Sequence, residues 1–210
     1  MKWITGVMIA ALLGGCSFVR EVPPAQSFHL DGGTATAPAA ASCSGRVIRV
    51  ALLQAPPWLQ GTAIYYSGPD HKMYRYTRAR WEQPPVDQLQ QMVEKSVIES
   101  ALFEGVIPYK SLAKNDWLLE IRIEKMRQKI DERGHGETEL MLYGVLIDQY
   151  SRHILAQKTF RYTHESSGAD VRSAVDAWSR DTGTFREELV SWLAAQCETQ
   201  PKTDRSDVDF

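Results

Sequence analysis

Sulfur is the chemistry that this 210-residue sequence offers most plainly, through Cys16, Cys43 and Cys197. Cys16 closes the run Leu13-Gly14-Gly15-Cys16, which follows one cation at Lys2 and an apolar stretch over residues 3–13. That stretch is too short to span a bilayer as a helix, which takes about 20 apolar residues. Its charge, length and small closing residues are those of a secretory signal peptide, here residues 1–15. Leu-Gly-Gly-Cys is also a lipobox, at which the cysteine is acylated with palmitate-type chains and becomes the first residue of the mature chain. Ser17 rather than Asp follows it, which favours forwarding to the outer membrane.

Cys43 and Cys197 then form an even pair in an oxidising compartment, and so a disulfide candidate; two separate buried thiols are the alternative. Such a bond ties the start of the fold to its last helix, with a chain-entropy ceiling of roughly 5 kcal/mol. No CxxC or HxxxH spacing exists, so no zinc site is expected.

The run YYSGPDHKMYRYTRARWEQPP, residues 65–85, interleaves aromatic and basic side chains as a platform for single-stranded nucleic acid would. The charge balance opposes that use. The chain has 24 basic and 26 acidic residues. Without Lys2 the net charge is about −3, whereas phosphate neutralisation needs a basic excess. Nucleic acid is therefore not an expected partner. Tyr and Arg also suit half-buried strands and protein interfaces. Arg75, Arg78 and Arg80 are accordingly candidates for a partner contact, and Trp81 is assigned to core packing against the first helix.

Other chemistries leave no trace. There is no GxxxxGK[ST], no GxGxxG after a strand, no GxSxG elbow and no HExxH. His29, His71, His135, His153 and His164 lack metal-ligand spacing, and Glu94, Glu99 and Glu104 read as a solvated helix edge. No catalytic residue, cofactor or metal is assigned, and the chain is not expected to be an enzyme.

The elements that would hold these residues follow from hydrophobic period. Residues 27–30 suit a short first strand, and residues 32–44 (GGTATAPAAASCS) a linker. Residues 46–54 are a strand, and residues 62–66 and 72–77 flank the turn Ser67-Gly68-Pro69-Asp70 as a hairpin. Pro85 opens a helix over 86–103, with Gly105 as its stop. Strands at 117–123, 137–149 and 153–164 precede a helix over 169–196. The expected class is α+β: a mainly antiparallel sheet with two helices packed on one face, the order strand-strand-strand-helix occurring twice. The expected organisation is a lipid-anchored segment with a short strand and linker at 16–45, a single α+β domain at 46–198 and a disordered tail at 199–210.

An ordered set of these features resembles the ABC-type transport auxiliary lipoprotein family, which includes the paraquat-inducible protein C group. The set comprises the lipobox at Cys16, the strand Phe28-His29-Leu30 and the stretch VIRVALLQAPPWLQGTAIYY at 47–66. Met73 to Tyr76, Trp81 with Pro84-Pro85, the helix at 86–103 and Gly105-Val106 complete it. The resemblance implies a non-catalytic auxiliary component of an ABC-type transport system for a lipid or hydrophobic solute. Such a component would be anchored on the periplasmic face of the outer membrane. Its implied partner is an Mce-domain periplasmic protein, the ATPase and permease being separate chains, and self-assembly into rings is a further implication. The alternative is a lipid-binding carrier that holds a lipid tail between sheet and helices.

Overall fold

A computed structural model describes residues 24–33 and 42–199. Cys16, the signal peptide, most of the linker and residues 200–210 lie outside the described residues. Eight strands and two helices follow in order: β1 Gln26–Phe28, β2 Cys43–Val50, β3 Ala63–Ser67, β4 Met73–Trp81, α1 Pro85–Glu99, β5 Phe103–Pro108, β6 Trp117–Ile130, β7 Gly136–Asp148, β8 Ile154–Glu165 and α2 Val171–Thr199.

The long β6 organises the sheet. One edge pairs antiparallel with β7 along its whole length, and β7 pairs with β8 in the same way. The other edge is shared end to end by two parallel partners: β2 against Trp117–Leu119 and β3 against Gln128 and Lys129. From there the sheet continues to β5 on one branch, and to β4 and β1 on the other. The class is α+β with mainly antiparallel pairing, as expected, although the sheet is mixed rather than purely antiparallel. β1–β4, β2–β5, β2–β6 and β3–β6 are all parallel ladders. Parallel neighbours require crossovers. Here the β3–β4 hairpin and α1 connect β2 to β5, and residues 109–116 carry the chain from β5 back across β2 to β6.

Two boundaries moved for local reasons. The first helix ends at Glu99 because Ala101 takes a left-handed φ of 51°, and Phe103 then begins β5, which the continuing apolar stripe had concealed. Gly105 is therefore a strand residue opposite Val47 rather than a helix stop, and each half of the chain reads as four strands and a helix. In β6 the alternation Trp117, Leu119, Ile121, Ile123 is interrupted by a bulge before Lys125. Met126 and Gln128 then take over the buried face.

Both helices cover one face of the sheet. Leu89, Val93 and Val97 of α1, with Trp178, Phe185, Leu189 and Leu193 of α2, meet Ile48, Ile121, Leu140, Leu142 and Phe160. Each such side chain contributes roughly 1.5–3 kcal/mol when fully buried. Phe160 packs edge-on against Phe185 at 5.1 Å, and Trp81 meets Trp178 of the second helix at 5.8 Å. Gly144 allows the close approach of α2: a Cβ there would lie 3.3 Å from Phe160 and 3.4 Å from Trp192. No helix among the described residues is long and apolar enough to cross a membrane.

Candidate functional site

The β3–β4 hairpin is built from its turn outward. Gly68 N–H donates to the Lys72 carbonyl, and Asp70 accepts the Tyr74 hydroxyl at 2.7 Å and the Lys72 backbone N–H at 3.3 Å. The Tyr74 hydroxyl, foremost among these, holds the Asp70 carboxyl below its ordinary value. Beyond the turn, Tyr66 stacks on Tyr74 at 5.4 Å and leans on Tyr76 at 4.8 Å.

Strict alternation would put Arg75 on one face of β4 and Arg78 and Arg80 on the other. The ladder avoids this. Tyr65 pairs with Arg75 while Ala63 pairs with Arg80, so β4 carries extra residues in a bulge between them. The bulge changes the parity of the strand: Thr77 and Arg78 are both exposed, and Ala79 and Trp81 become the buried positions. Arg75, Arg78 and Arg80 are consequently all exposed. Among the described residues none of the three forms a salt bridge; Arg80 Nε donates to Ser27 Oγ at 3.3 Å. Among the described residues these hairpin arginines thus have no carboxylate partner.

A buried amide fixes this hairpin to the rest of the domain. The Tyr76 hydroxyl donates to Gln128 Oε1 at 2.5 Å, and the fully buried Gln128 donates through Nε2 to Ser166 Oγ at 3.0 Å and the Gly168 carbonyl at 3.2 Å. Burial, with Tyr66 and Asp170 nearby, pushes the Tyr76 phenol up to about 12. Gly136 is obligatory beside this group, since a Cβ there would lie 2.6 Å from Gln128 Nε2 and 2.6 Å from the Gly168 carbonyl oxygen.

The segment leading from the expected anchor is held just as firmly. β1 pairs parallel with β4, and Glu82 N–H donates to the Phe28 carbonyl at 2.7 Å. Leu30 N–H donates to Gln88 Oε1 at 2.8 Å, and Asp31 N–H to Ser179 Oγ at 3.2 Å. Arg186, 2% exposed in the middle of α2, closes the set. Its guanidinium donates to Ser96 Oγ at 2.7 Å, to Glu99 Oε2 at 3.1 Å, to the Gly32 carbonyl at 3.1 Å and to the Gly33 carbonyl. Gly32 permits the approach, because a Cβ there would sit 3.1 Å from Arg186 Cδ. Between this segment and α2 lies an open cleft of about 1030 Å³, whose lining includes Phe28, Asp31, Arg172, Asp176 and Glu187.

Cys43 at the start of β2 and Cys197 near the end of α2 are joined in the structure, with a Cα–Cα distance of 5.0 Å and a sequence separation of 154. The bond ties the start of β2 to the end of α2. Cys16 is outside the described residues. Among those residues no group of His, Cys, Asp and Glu is placed to hold a metal ion. Sequence reasoning missed Arg186 and Gln128. The signal for Arg186 was its place on the buried stripe Thr182, Arg186, Val190, where an arginine needs partners.

The comparisons bear on this whole architecture. Protein XCC0632 from Xanthomonas campestris shares the fold with a TM-score of 0.71 at 19% identity, over 83% of this chain and 96% of that one. The hypothetical protein CT253 from Chlamydia trachomatis matches with a TM-score of 0.51 at 7% identity, over 74% of this chain and 99% of that one. A comparison with curated proteins finds no match. The family model described as the ABC-type transport auxiliary lipoprotein component matches residues 28–190, from β1 through most of α2. The chain belongs to the ABC-type transport auxiliary lipoprotein family.

Proposed function

We propose that this protein is a non-catalytic adaptor of an ABC-type transport system for a lipid or other hydrophobic solute. It is held on the periplasmic face of the outer membrane through acylated Cys16 and engages an Mce-domain partner. The observation that carries the reading is the family match over residues 28–190, which takes in the entire sheet apart from the start of β1. The lipobox supplies the anchor. The exposed Arg75, Arg78 and Arg80, set outward by the β4 bulge and without carboxylate partners among the described residues, supply a surface for an acidic or carbonyl-rich protein face. The adaptor reading is favoured over a lipid carrier because the space between sheet and helices is filled by Leu89, Val93, Trp178, Phe185 and Phe160. A tail bound there would have to displace them. Self-assembly of the chain is a further expectation, open to light scattering on the detergent-solubilised protein.

The test is co-purification from native membranes after mild crosslinking. The wild-type chain should bring down an Mce-domain protein. The triple variant Arg75→Glu/Arg78→Glu/Arg80→Glu should remain in the membrane fraction and lose that partner. A wild-type chain that purifies with no Mce-domain protein would sink the reading; a triple variant that keeps the partner would remove the arginines from the interface.

A further inference from the structure

Two neighbouring loops carry side chains that neither the core nor the arginine face uses. The β5–β6 crossover, residues 109–116, leaves Leu112 99% exposed, with Tyr109, Lys110 and Lys114 also exposed. The β7–β8 turn exposes Tyr150 and Arg152, and Ile154 at the start of β8 is 55% exposed. The two loops adjoin, since Gln149 N–H donates to the Asp116 carbonyl at 2.8 Å. Arg49 of β2 holds the crossover by donating to the Ala113 carbonyl at 2.6 Å.

The acids of these loops are turned inward. Asp116 Oδ2 accepts the Val47 N–H at 2.8 Å. Asp148, buried, accepts the Tyr150 and Ser151 N–H groups and the Ser151 hydroxyl through Oδ1. What remains outside is apolar and cationic together: Leu112, Ile154 and Tyr109 beside Lys110, Lys114 and Arg152. Protein interfaces deplete lysine from their centres. The headgroup layer of a bilayer accepts this mixture, with rings and aliphatic tips at the acyl boundary and ammonium and guanidinium groups at the phosphates.

The geometry points to this corner of the sheet resting on an anionic phospholipid surface, so that the domain lies on the membrane that anchors it. The inference rests on the acylation of Cys16, and the tether allows it. Ten residues from Cys16 to Gln26 span at most about 33–36 Å. Gln26 pairs with Ala79, and the β4–β3–β6 register places it about eight residues along β6 from Trp117, roughly 26 Å at the rise of a strand. Anchor and loops therefore reach one membrane together. The loop cations contribute attraction that salt screens, and Leu112 and Ile154 contribute burial that salt does not.

The experiment uses the acylated full-length chain on phosphatidylethanolamine vesicles containing phosphatidylglycerol. A nitrobenzoxadiazole label is placed on Leu112→Cys or, as control, on Ile98→Cys, an exposed apolar position of α1. Brominated acyl chains should quench the label at 112 at least about twofold more than the label at 98, with a blue shift at 112 alone. Adding Lys110→Glu/Lys114→Glu should abolish the difference. Equal, water-like emission at both positions overturns the inference. So does shielding of position 112 that appears only when a partner protein is added, which would make the corner a protein contact. Flotation of the chain with the vesicles reports the acyl anchor separately: a chain that floats with a water-exposed label refutes the loops alone, and one that neither floats nor is quenched refutes both.

Discussion

Replacing Arg186 by Met tests the claim that one buried guanidinium locks the N-terminal segment onto the helices. Methionine keeps an apolar stem beside Gly32, so the change isolates the polar head. That head serves four acceptors: Ser96 Oγ, Glu99 Oε2 and the carbonyls of Gly32 and Gly33. Hydrogen bonds to a charged group are worth roughly 1.5–3 kcal/mol each before the cost of burying the charge is recovered. Ser96 keeps its bond to the Met92 carbonyl, and the Glu99 side chain, 36% exposed, can turn to water. The full penalty of a broken buried pair, about 3–5 kcal/mol, is therefore not incurred. A net loss of about 2–4 kcal/mol is expected, read as a lower urea midpoint at unchanged slope. Amide exchange should accelerate at Leu30 and Asp31, whose N–H groups point to Gln88 and Ser179 in the same segment. A loss below about 1 kcal/mol with unchanged exchange would show that desolvation of the guanidinium cancels its bonds, and the reasoning would fail.

Reduction of the Cys43–Cys197 bond, or its replacement by two serines, should lower the urea midpoint. The separation of 154 residues gives a chain-entropy limit of about 5 kcal/mol, and an unchanged midpoint would refute it. The pH dependence at Asp181 has the opposite sign to that of most carboxylates. This fully buried residue lies 2.6 Å from His164, but burial outweighs His164 and Arg180 and holds the carboxyl above its ordinary 3.8. Its raised folded value gives stability that is complete below 3.8 and is lost as pH rises through the folded value. Asp181→Asn should thus be more stable than wild type at pH 7, with the gap closing as pH falls toward 4; a less stable variant at pH 7 would contradict this.

Much of the fold was legible because period is a local property. Trp117, Leu119, Ile121 and Ile123 announced β6 by alternation, Ser67 to Asp70 marked the hairpin turn, and Val175, Trp178, Phe185 and Leu189 marked the buried stripe of α2. The expected lipobox at Cys16 is likewise a local reading of a few consecutive residues, and it lies outside the described residues. The pairing of Cys43 with Cys197 was legible only as a count and a compartment; the structure adds that both ends arrive at one place.

Tertiary structure decided the rest, because it depends on neighbours that the chain supplies from far away. Which strands lie beside β6, and in which direction, is set by crossovers and by the face that each strand must bury, so parallel ladders at β2 and β3 join a mainly antiparallel sheet that local hairpins alone do not foretell. The bulge that brings Arg75, Arg78 and Arg80 to exposed positions arises from fitting β4 to β3 while β1 pairs on its other edge. Arg186 and Gln128 can be buried only because acceptors and donors from segments about 90 and 40 residues away complete their hydrogen bonds, for an unpartnered polar group in a core costs more than the packing it gains.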